Sequence, residues 1–235
     1  MLFLLMQMTI AVEEAKQNGK SPGVSNPWTE YVRILPRLVP VPTMWSEEQR
    51  LFLVGTSLEV SSTLLYFSLT TNYNFQSAIN AKVAALGREF ELLREKTTNI
   101  PWCNKCWWDD ELLTICDWIL IDALWRSRSL ELPNAGEAMV PCLDMANHSS
   151  VPNAYYEETS DNSVALLLRP DVKVEVGAEI TISYGTSKTP AEMLFSYVRL
   201  NGLLILHSPI LNSCLHIVMY LPHLLKPRKS TSVLM

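Results

Sequence analysis

Apolar residues recur at intervals of three or four over much of the first half of the chain, which is the spacing of amphipathic helices. The first helix is predicted over residues 1–18. Further helices are predicted over residues 47–54, with Ser46 as the N-cap, and over residues 75–95. The side chains expected on the buried face of the first helix are Leu2, Leu5, Met6 and Ile10.

The segments between these helices break the periodic pattern. Residues 27–36 predict a short helical turn that ends at a proline. Residues 102–108, which are rich in tryptophan and cysteine, predict a loop. Asp109 or Asp110 is then expected to cap a helix over residues 111–127.

The pattern changes to short strands after about residue 138. Residues 164–168 are continuously apolar, which predicts a strand that is covered on both faces. Residues 179–184 alternate between polar and apolar, as in a half-buried strand. The side chains expected on its inner face are Ile180, Ile182 and Tyr184. Helices followed by strands within one domain predict an α+β fold with a helical insertion.

Composition narrows the possible partners. Hydrophobic residues make up 48% of the 235 residues and charged residues 18%, so the chain is able to bury a core. A net charge of −5 argues against nucleic acid as a partner, and no apolar run approaches the roughly 18 residues of a membrane span. Five cysteines without a secretory signal fit reduced thiols and an intracellular location, cytoplasmic or nuclear.

Two residue pairs have the spacing of metal ligands, but neither predicts a metal site. Cys103 and Cys106 have zinc-ligand spacing without a second pair at a suitable distance, and the neighbouring tryptophans favour a packing role. Asp144 and His148 would meet on a helix, yet Pro141 and the following loop make a regular helix doubtful. We therefore expect no metal.

Three polar residues near the end of the chain are candidates for chemistry. Asn147 and His148 fit either a turn or a binding site, because asparagine is common in turns and histidine is often neutral and hydrogen-bonded. Tyr184 brings a hydroxyl group that needs a partner if it is buried, and a backbone carbonyl would serve as well as a ligand. Local patterns alone leave both alternatives open.

Five short segments occur in a fixed order between residues 25 and 197. They are SNPWTEYVRILP from Ser25, WSEEQRLFLVGTSL from Trp45, the helix end SRSL from Ser127, VPCLDMANHS from Val140 and ITISYG from Ile180. Taken together, they resemble the SET-domain protein-lysine methyltransferases, in the branch similar to Rubisco large-subunit methyltransferase. One such segment would be unremarkable, whereas five in the same order indicate a relationship.

The resemblance implies a β-rich SET core with a large helical insertion. It implies an N-terminal helix and partial SET segment over 1–44, the insertion over 45–128, and the C-terminal part of the core over 129–205. Residues 206–235 form a tail whose structure the sequence leaves undefined. The G-x-G-like strands of this branch and its C-terminal substrate-binding domain have no counterpart, so we expect an incomplete core, as in a truncated chain.

The resemblance also implies a reaction and the residues that perform it. Members of this branch transfer a methyl group from S-adenosylmethionine to a lysine side chain of a protein substrate. By residue matching, Tyr184 is expected where the lysine channel meets the methyl group. Asn147 and His148 are expected to contact the cofactor, and Arg128 its carboxylate, which a guanidinium fork suits.

A second hypothesis comes from a different class of protein. Because the G-x-G-like segment has no counterpart, the chain is alternatively a non-catalytic SET remnant or a protein-interaction module that has lost cofactor binding. The presence of Arg128, Asn147, His148 and Tyr184 favours the enzyme. The sequence defines neither the substrate protein nor the oligomeric state.

Overall fold

A computed structural model describes residues 1–15, 23, 25–50, 53, 78–109, 112–159, 163–185 and 188–197. Within these ranges the helices are α1 Leu2–Ala15, α2 Pro27–Arg33, α3 Glu47–Arg50, α4 Ala78–Thr97, α5 Ile115–Arg128 and α6 Pro190–Tyr197. The strands are β1 Ser129–Leu132, β2 Gly136–Met139, β3 Asn147–His148, β4 Ala154–Glu158, β5 Val164–Leu168 and β6 Thr181–Ile182. Five of these helices precede the strands and one follows them, so helices and strands are segregated along the chain and the predicted α+β class is confirmed.

Helix α1 forms as predicted up to Ala15, while residues 16–18 of the prediction lie outside the described residues, and its buried face is only partly as predicted. Leu5 and Ile10 are buried as expected and Leu4, Met8 and Ala11 are buried as well, whereas Leu2 and Met6 are exposed. The reason lies at Gln7, whose side-chain oxygen accepts hydrogen bonds from Thr29 Oγ1 at 2.6 Å and Asn26 Nδ2 at 3.3 Å. These bonds turn the Gln7 side of α1 towards α2, and a nearly all-apolar segment gives no competing periodicity.

Local capping explains two of the helices at the N-terminal side. The Asn26 side chain accepts from the backbone N–H groups of Trp28 and Thr29, and Pro27 occupies the first turn of α2. Ser46 caps α3 as predicted. Its hydroxyl oxygen accepts a hydrogen bond from Gln49 N–H, and the side-chain oxygen of Gln49 accepts one from Ser46 N–H. Most of the remainder of the predicted helix 47–54 lies outside the described residues.

The prediction for the segment before α5 was wrong. Residues Pro101–Cys103 and Asn104–Trp108 form consecutive helical turns, with Trp107 almost completely buried in the core. Helix α5 begins only at Ile115, where Thr114 and Asp117 form a capping box. The predicted helix over 75–95 is confirmed as α4, which buries its apolar face.

The strands form three separate two-stranded sheets. Strands β1 and β2 are antiparallel and so are β4 and β5, while β3 and β6 are parallel with His148 opposite Ile182. The strand at 164–168 is confirmed, but it is not covered, since Leu166 and Leu168 are 44% and 52% exposed. The strand predicted at 179–184 shortens to β6, because the His148 side chain accepts the hydrogen bond of Tyr184 N–H.

Among the described residues, two apolar clusters hold these elements. The larger cluster joins α1, α2, α4 and α5 with the tryptophans around residue 107. The smaller contains buried Leu130, Leu143, Ala154 and Ile182, and Ile180 and Tyr184 pack against it. The predicted inner face of residues 179–184 is therefore confirmed, whereas the domain boundaries stay predictions. None of the helices in the described ranges has the length and apolar character needed to cross a membrane.

Candidate functional site

A small cleft lies where the end of α5, the turn Leu143–Met145, β6 and α6 meet. We call it the tyrosine cleft. Its lining includes Ser127, Arg128, Asp144, Ala146, Tyr184 and Tyr197. Two of the four residues predicted from the sequence, Arg128 and Tyr184, thus lie in one cleft although 56 positions separate them in the chain (184 − 128).

Tyr184 follows β6 and is held at both its backbone and its hydroxyl. Its N–H donates to His148 Nδ1 at 3.0 Å, and its hydroxyl donates to the Ala146 carbonyl oxygen at 2.8 Å. The ring centroids of Tyr184 and His148 are 5.3 Å apart. Because Nδ1 is the acceptor, neutral His148 carries its proton on Nε2. His148 therefore acts here on the placement of Tyr184.

Tyr197 forms the second aromatic wall of the tyrosine cleft. Its ring centroid lies 4.6 Å from that of Tyr184, with the planes inclined by 39°. Burial, followed by the nearby Glu137 carboxylate, raises the pKa of the Tyr197 hydroxyl. The sequence analysis gave this residue no role. Its position four residues after buried Met193, on the inner side of α6, is the signal that would have indicated it.

Arg128 is anchored by Asp144, which in turn is hydrogen-bonded to Tyr31. Arg128 Nη1 donates to Asp144 Oδ2 at 2.9 Å, and the same oxygen accepts from the Tyr31 hydroxyl at 2.8 Å. The Asp144 side chain is completely buried. Sequence spacing suggested pairing Asp144 with His148, but the structure directs Asp144 to Arg128 and His148 to Tyr184. Tyr31 was missed because its partner is distant in the sequence.

The Arg128 guanidinium has capacity for a further acceptor. Its Nε is buried and has no hydrogen-bond partner within the described part of the chain, and the same holds for Asp144 Oδ1. An unpaired buried donor costs free energy until a partner is supplied. The Arg128 side chain is also 20% exposed, and a guanidinium suits a group that carries a carboxylate.

Asn147 does not line the tyrosine cleft in the described structure. It lies on β3 next to His148, so their side chains leave opposite faces of the strand. Asn147 Nδ2 donates to a carboxylate oxygen of Glu179. The four predicted residues thus divide into two that line the cleft, one that supports it and one that faces away. Their functional roles stay predictions.

No metal centre is visible in the part of the chain that the structure describes. Among those residues, His, Cys, Asp and Glu side chains form no group of three that would hold an ion. Cys103 is buried in the larger apolar cluster, and burial raises the pKa of its thiol. That location agrees with the packing role that its tryptophan neighbours indicated.

Comparison with known proteins identifies related chains. SET domain-containing protein 8 of Schizosaccharomyces pombe (strain 972 / ATCC 24843) is 30% identical over 173 residues, which are 74% of this chain and 34% of that protein. The solved SET domain of LSMT bound to lysine and AdoHcy has a TM-score of 0.53 at 23% identity, covering 85% of this chain and 40% of that one. Rubisco LSMT bound to AdoMet has a TM-score of 0.51 at 21% identity, covering 83% and 37%.

These likenesses define the class of the protein. The chain spans about a third of the length of the curated relative and about two fifths of the solved chains. No model of a protein family matches it. In sequence the chain is similar to a SET domain-containing protein, and its fold is that of the solved SET domains.

Proposed function

We propose that this chain carries the methyl-transfer site of an S-adenosylmethionine-dependent protein-lysine N-methyltransferase that acts inside the cell. The observation that carries the proposal is the tyrosine cleft, which brings Arg128, Tyr184 and Tyr197 together. The solved relatives are described as bound to AdoMet, or to lysine and AdoHcy, and they support this cofactor and this acceptor.

When bound, S-adenosylmethionine supplies a methyl group on a sulfonium, which is open to in-line displacement by a neutral amine. A free lysine has a pKa of about 10.4, so forming the neutral amine at pH 7 costs roughly 4.6 kcal/mol. The paired rings of Tyr184 and Tyr197 lower this cost, because they replace water around the ammonium group with apolar surface. They also restrict the direction from which the amine approaches the methyl group.

The hydroxyl of Tyr184 has a defined part in this scheme. Its proton is engaged by the Ala146 carbonyl oxygen, so its oxygen lone pairs are directed to accept a hydrogen bond from the amine. Arg128, whose side chain is 20% exposed, would hold the cofactor carboxylate through its guanidinium. Asn147 and His148 are proposed as cofactor contacts on the strength of the family resemblance, and His148 additionally fixes Tyr184.

The test is transfer of a labelled methyl group from S-adenosylmethionine to lysine-containing acceptor peptides by the complete 235-residue chain. Tyr184→Phe should lower turnover by about tenfold or more while the Kd for the cofactor stays the same. Tyr155→Phe, which removes a hydroxyl from β4, is the matched control and should leave turnover unchanged. Equal turnover in the Tyr184 variant and the wild type would refute the assignment.

A second candidate is a non-catalytic SET module that binds a lysine side chain beside the paired tyrosines. It is favoured by the contact of Asn147 with Glu179, which occupies an amide that the enzyme needs for its cofactor. Such a module would bind lysine peptides without S-adenosylmethionine and would transfer no label. The enzyme would show both cofactor binding and transfer, so one set of assays separates the two.

A further inference from the structure

Arg126 lies on α5 two residues before Arg128 and makes contacts in three directions. Its Nε donates to Asp122 Oδ2 at 2.7 Å, its Nη1 to the Phe195 carbonyl oxygen at 2.6 Å, and its Nη2 to Thr43 Oγ1 at 2.8 Å. Arg126 is only 14% exposed. One guanidinium therefore joins α5, α6 and the turn Pro42–Met44.

The acidic partner of Arg126 is itself fixed. The Asp122 side chain is 3% exposed and forms a second ion pair with Lys82 of α4, whose Nζ lies 2.8 Å from Asp122 Oδ1. A buried carboxylate with two cationic partners resists displacement, because releasing either partner leaves charge uncompensated in the interior. Asp122 thus holds the Arg126 guanidinium in one orientation.

The contact with α6 satisfies a specific need of that helix. Phe195 lies in the last turn, where carbonyl oxygens require donors from outside the helix and where a cation is favourable. The guanidinium also stands 4.7 Å from the centroid of the Phe195 ring. At the other end of α6, Thr189 and Glu192 form a reciprocal capping box. Helix α6 is therefore held at both ends.

We infer that Arg126 is a positioning residue that fixes α6 so that Tyr197 lies against Tyr184 and sets the width of the tyrosine cleft. Tyr197 is two residues beyond the carbonyl group that Arg126 holds, and its ring contacts Tyr184 at 4.6 Å. The consequence for catalysis rests on the proposed function: a cleft of fixed width selects the acceptor amine by the number of methyl groups it already carries. Arg126 itself is absent from the lining of the cleft within the described residues.

The structural part is tested by hydrogen exchange with mass spectrometry on the complete chain. Arg126→Met should speed amide exchange in residues 190–197 by about tenfold, as expected for losing a hydrogen bond to a charged group. Arg126→Lys keeps the charge but not the fork, so it should speed exchange in the same segment. Arg94→Met, which removes a guanidinium 5.7 Å from the Trp108 ring, is the matched control and should leave this segment unchanged.

A milder variant protects the test against loss of the fold. Thr43→Val keeps the volume of a buried side chain but removes the acceptor of Arg126 Nη2, so exchange in residues 190–197 should rise without a change elsewhere. Unchanged exchange in this segment for both Arg126→Lys and Thr43→Val would overturn the inference. So would a uniform increase across the β-strands and α6 alike.

The functional part has its own readout. In an active wild-type protein, Arg126→Lys should change the KM for lysine peptides and the ratio of monomethylated to dimethylated product, with an unaltered Kd for S-adenosylmethionine. An unchanged KM and product ratio would overturn the link from Arg126 to acceptor choice. Absence of transfer by the folded wild type would refute the proposed function, while hydrogen exchange would still decide the placement of α6.

Discussion

The Tyr31 hydroxyl donates a hydrogen bond of 2.8 Å to the carboxylate of Asp144, across 113 positions of the chain. The same carboxylate oxygen accepts from Arg128 Nη1 at 2.9 Å. The contact therefore links helix α2, near the start of the chain, to the arginine proposed to bind the cofactor. It gives the segment around Tyr31 a direct part in the site, which separation in the sequence conceals.

Asp144→Asn should destabilise the fold more than loss of an ordinary ion pair. Asp144 is completely buried while Arg128 is 20% exposed, so breaking the pair leaves a largely buried cation unpaired. We expect the free energy of unfolding to fall by about 3 kcal/mol, measured by urea denaturation. Glu95→Gln is the control, because Glu95 pairs with Lys96 in solvent and should cost less than about 1 kcal/mol. Equal costs for both variants would contradict the role assigned to Asp144.

Tyr31→Phe should change how stability responds to alkaline pH. Burial, followed by the bond to Asp144, raises the pKa of Tyr31 above its ordinary value. The folded protein then keeps this proton above pH 10, where the unfolded chain releases it. The stability that the hydroxyl contributes is therefore complete below about pH 10 and declines as the pH rises further.

Urea denaturation of the wild type and the Tyr31 variant at pH 8 and pH 11 measures this effect. The difference in unfolding free energy between the two proteins should shrink by about 1.4 kcal/mol at the higher pH, which corresponds to one pH unit. Tyr155→Phe serves as the control for losing a tyrosine hydroxyl elsewhere. A difference that stays constant between the two pH values would count against a buried, hydrogen-bonded Tyr31.

His148→Phe should weaken the placement of Tyr184. Phenylalanine keeps an aromatic ring beside Tyr184 but offers no acceptor for the Tyr184 N–H. The unfolding free energy should fall by about 1–2 kcal/mol, the cost of a backbone donor left without its partner. Tyr184→Phe retains that N–H bond and is the matched comparison. Thermal and urea unfolding that do not distinguish His148→Phe from the wild type would rule out this contact.

The sequence predicted best what depends on neighbours in the chain. The helix over 75–95, the cap at Ser46 and the α+β order follow from periodicity and capping chemistry, and the structure confirms them. The predicted start of α5 was wrong because Thr114 and Asp117, downstream of the aspartates that were expected to cap the helix, form its capping box. The strand at 164–168 was wrongly predicted to be covered, because an apolar run alone does not show which elements pack against the strand.

The candidate site was only partly accessible from the sequence. The family segments indicated Arg128 and Tyr184, which do line one cleft. They did not indicate that Asp144 and Tyr31 hold Arg128, because a hydrogen bond between distant positions leaves no periodic trace. Tyr197 was passed over for a similar reason: its contact with Tyr184 depends on how α6 packs.

Calorimetric titration of the complete chain with S-adenosylmethionine tests the central claim most directly. The account predicts binding with a roughly micromolar Kd, which Arg128→Lys weakens by about tenfold because the carboxylate-binding fork is lost. Asn147→Ala should also weaken binding, whereas Asn134→Ala, the same change on the exposed turn between β1 and β2, should not. Absence of binding by the folded wild-type protein would contradict the proposal that this chain holds the cofactor.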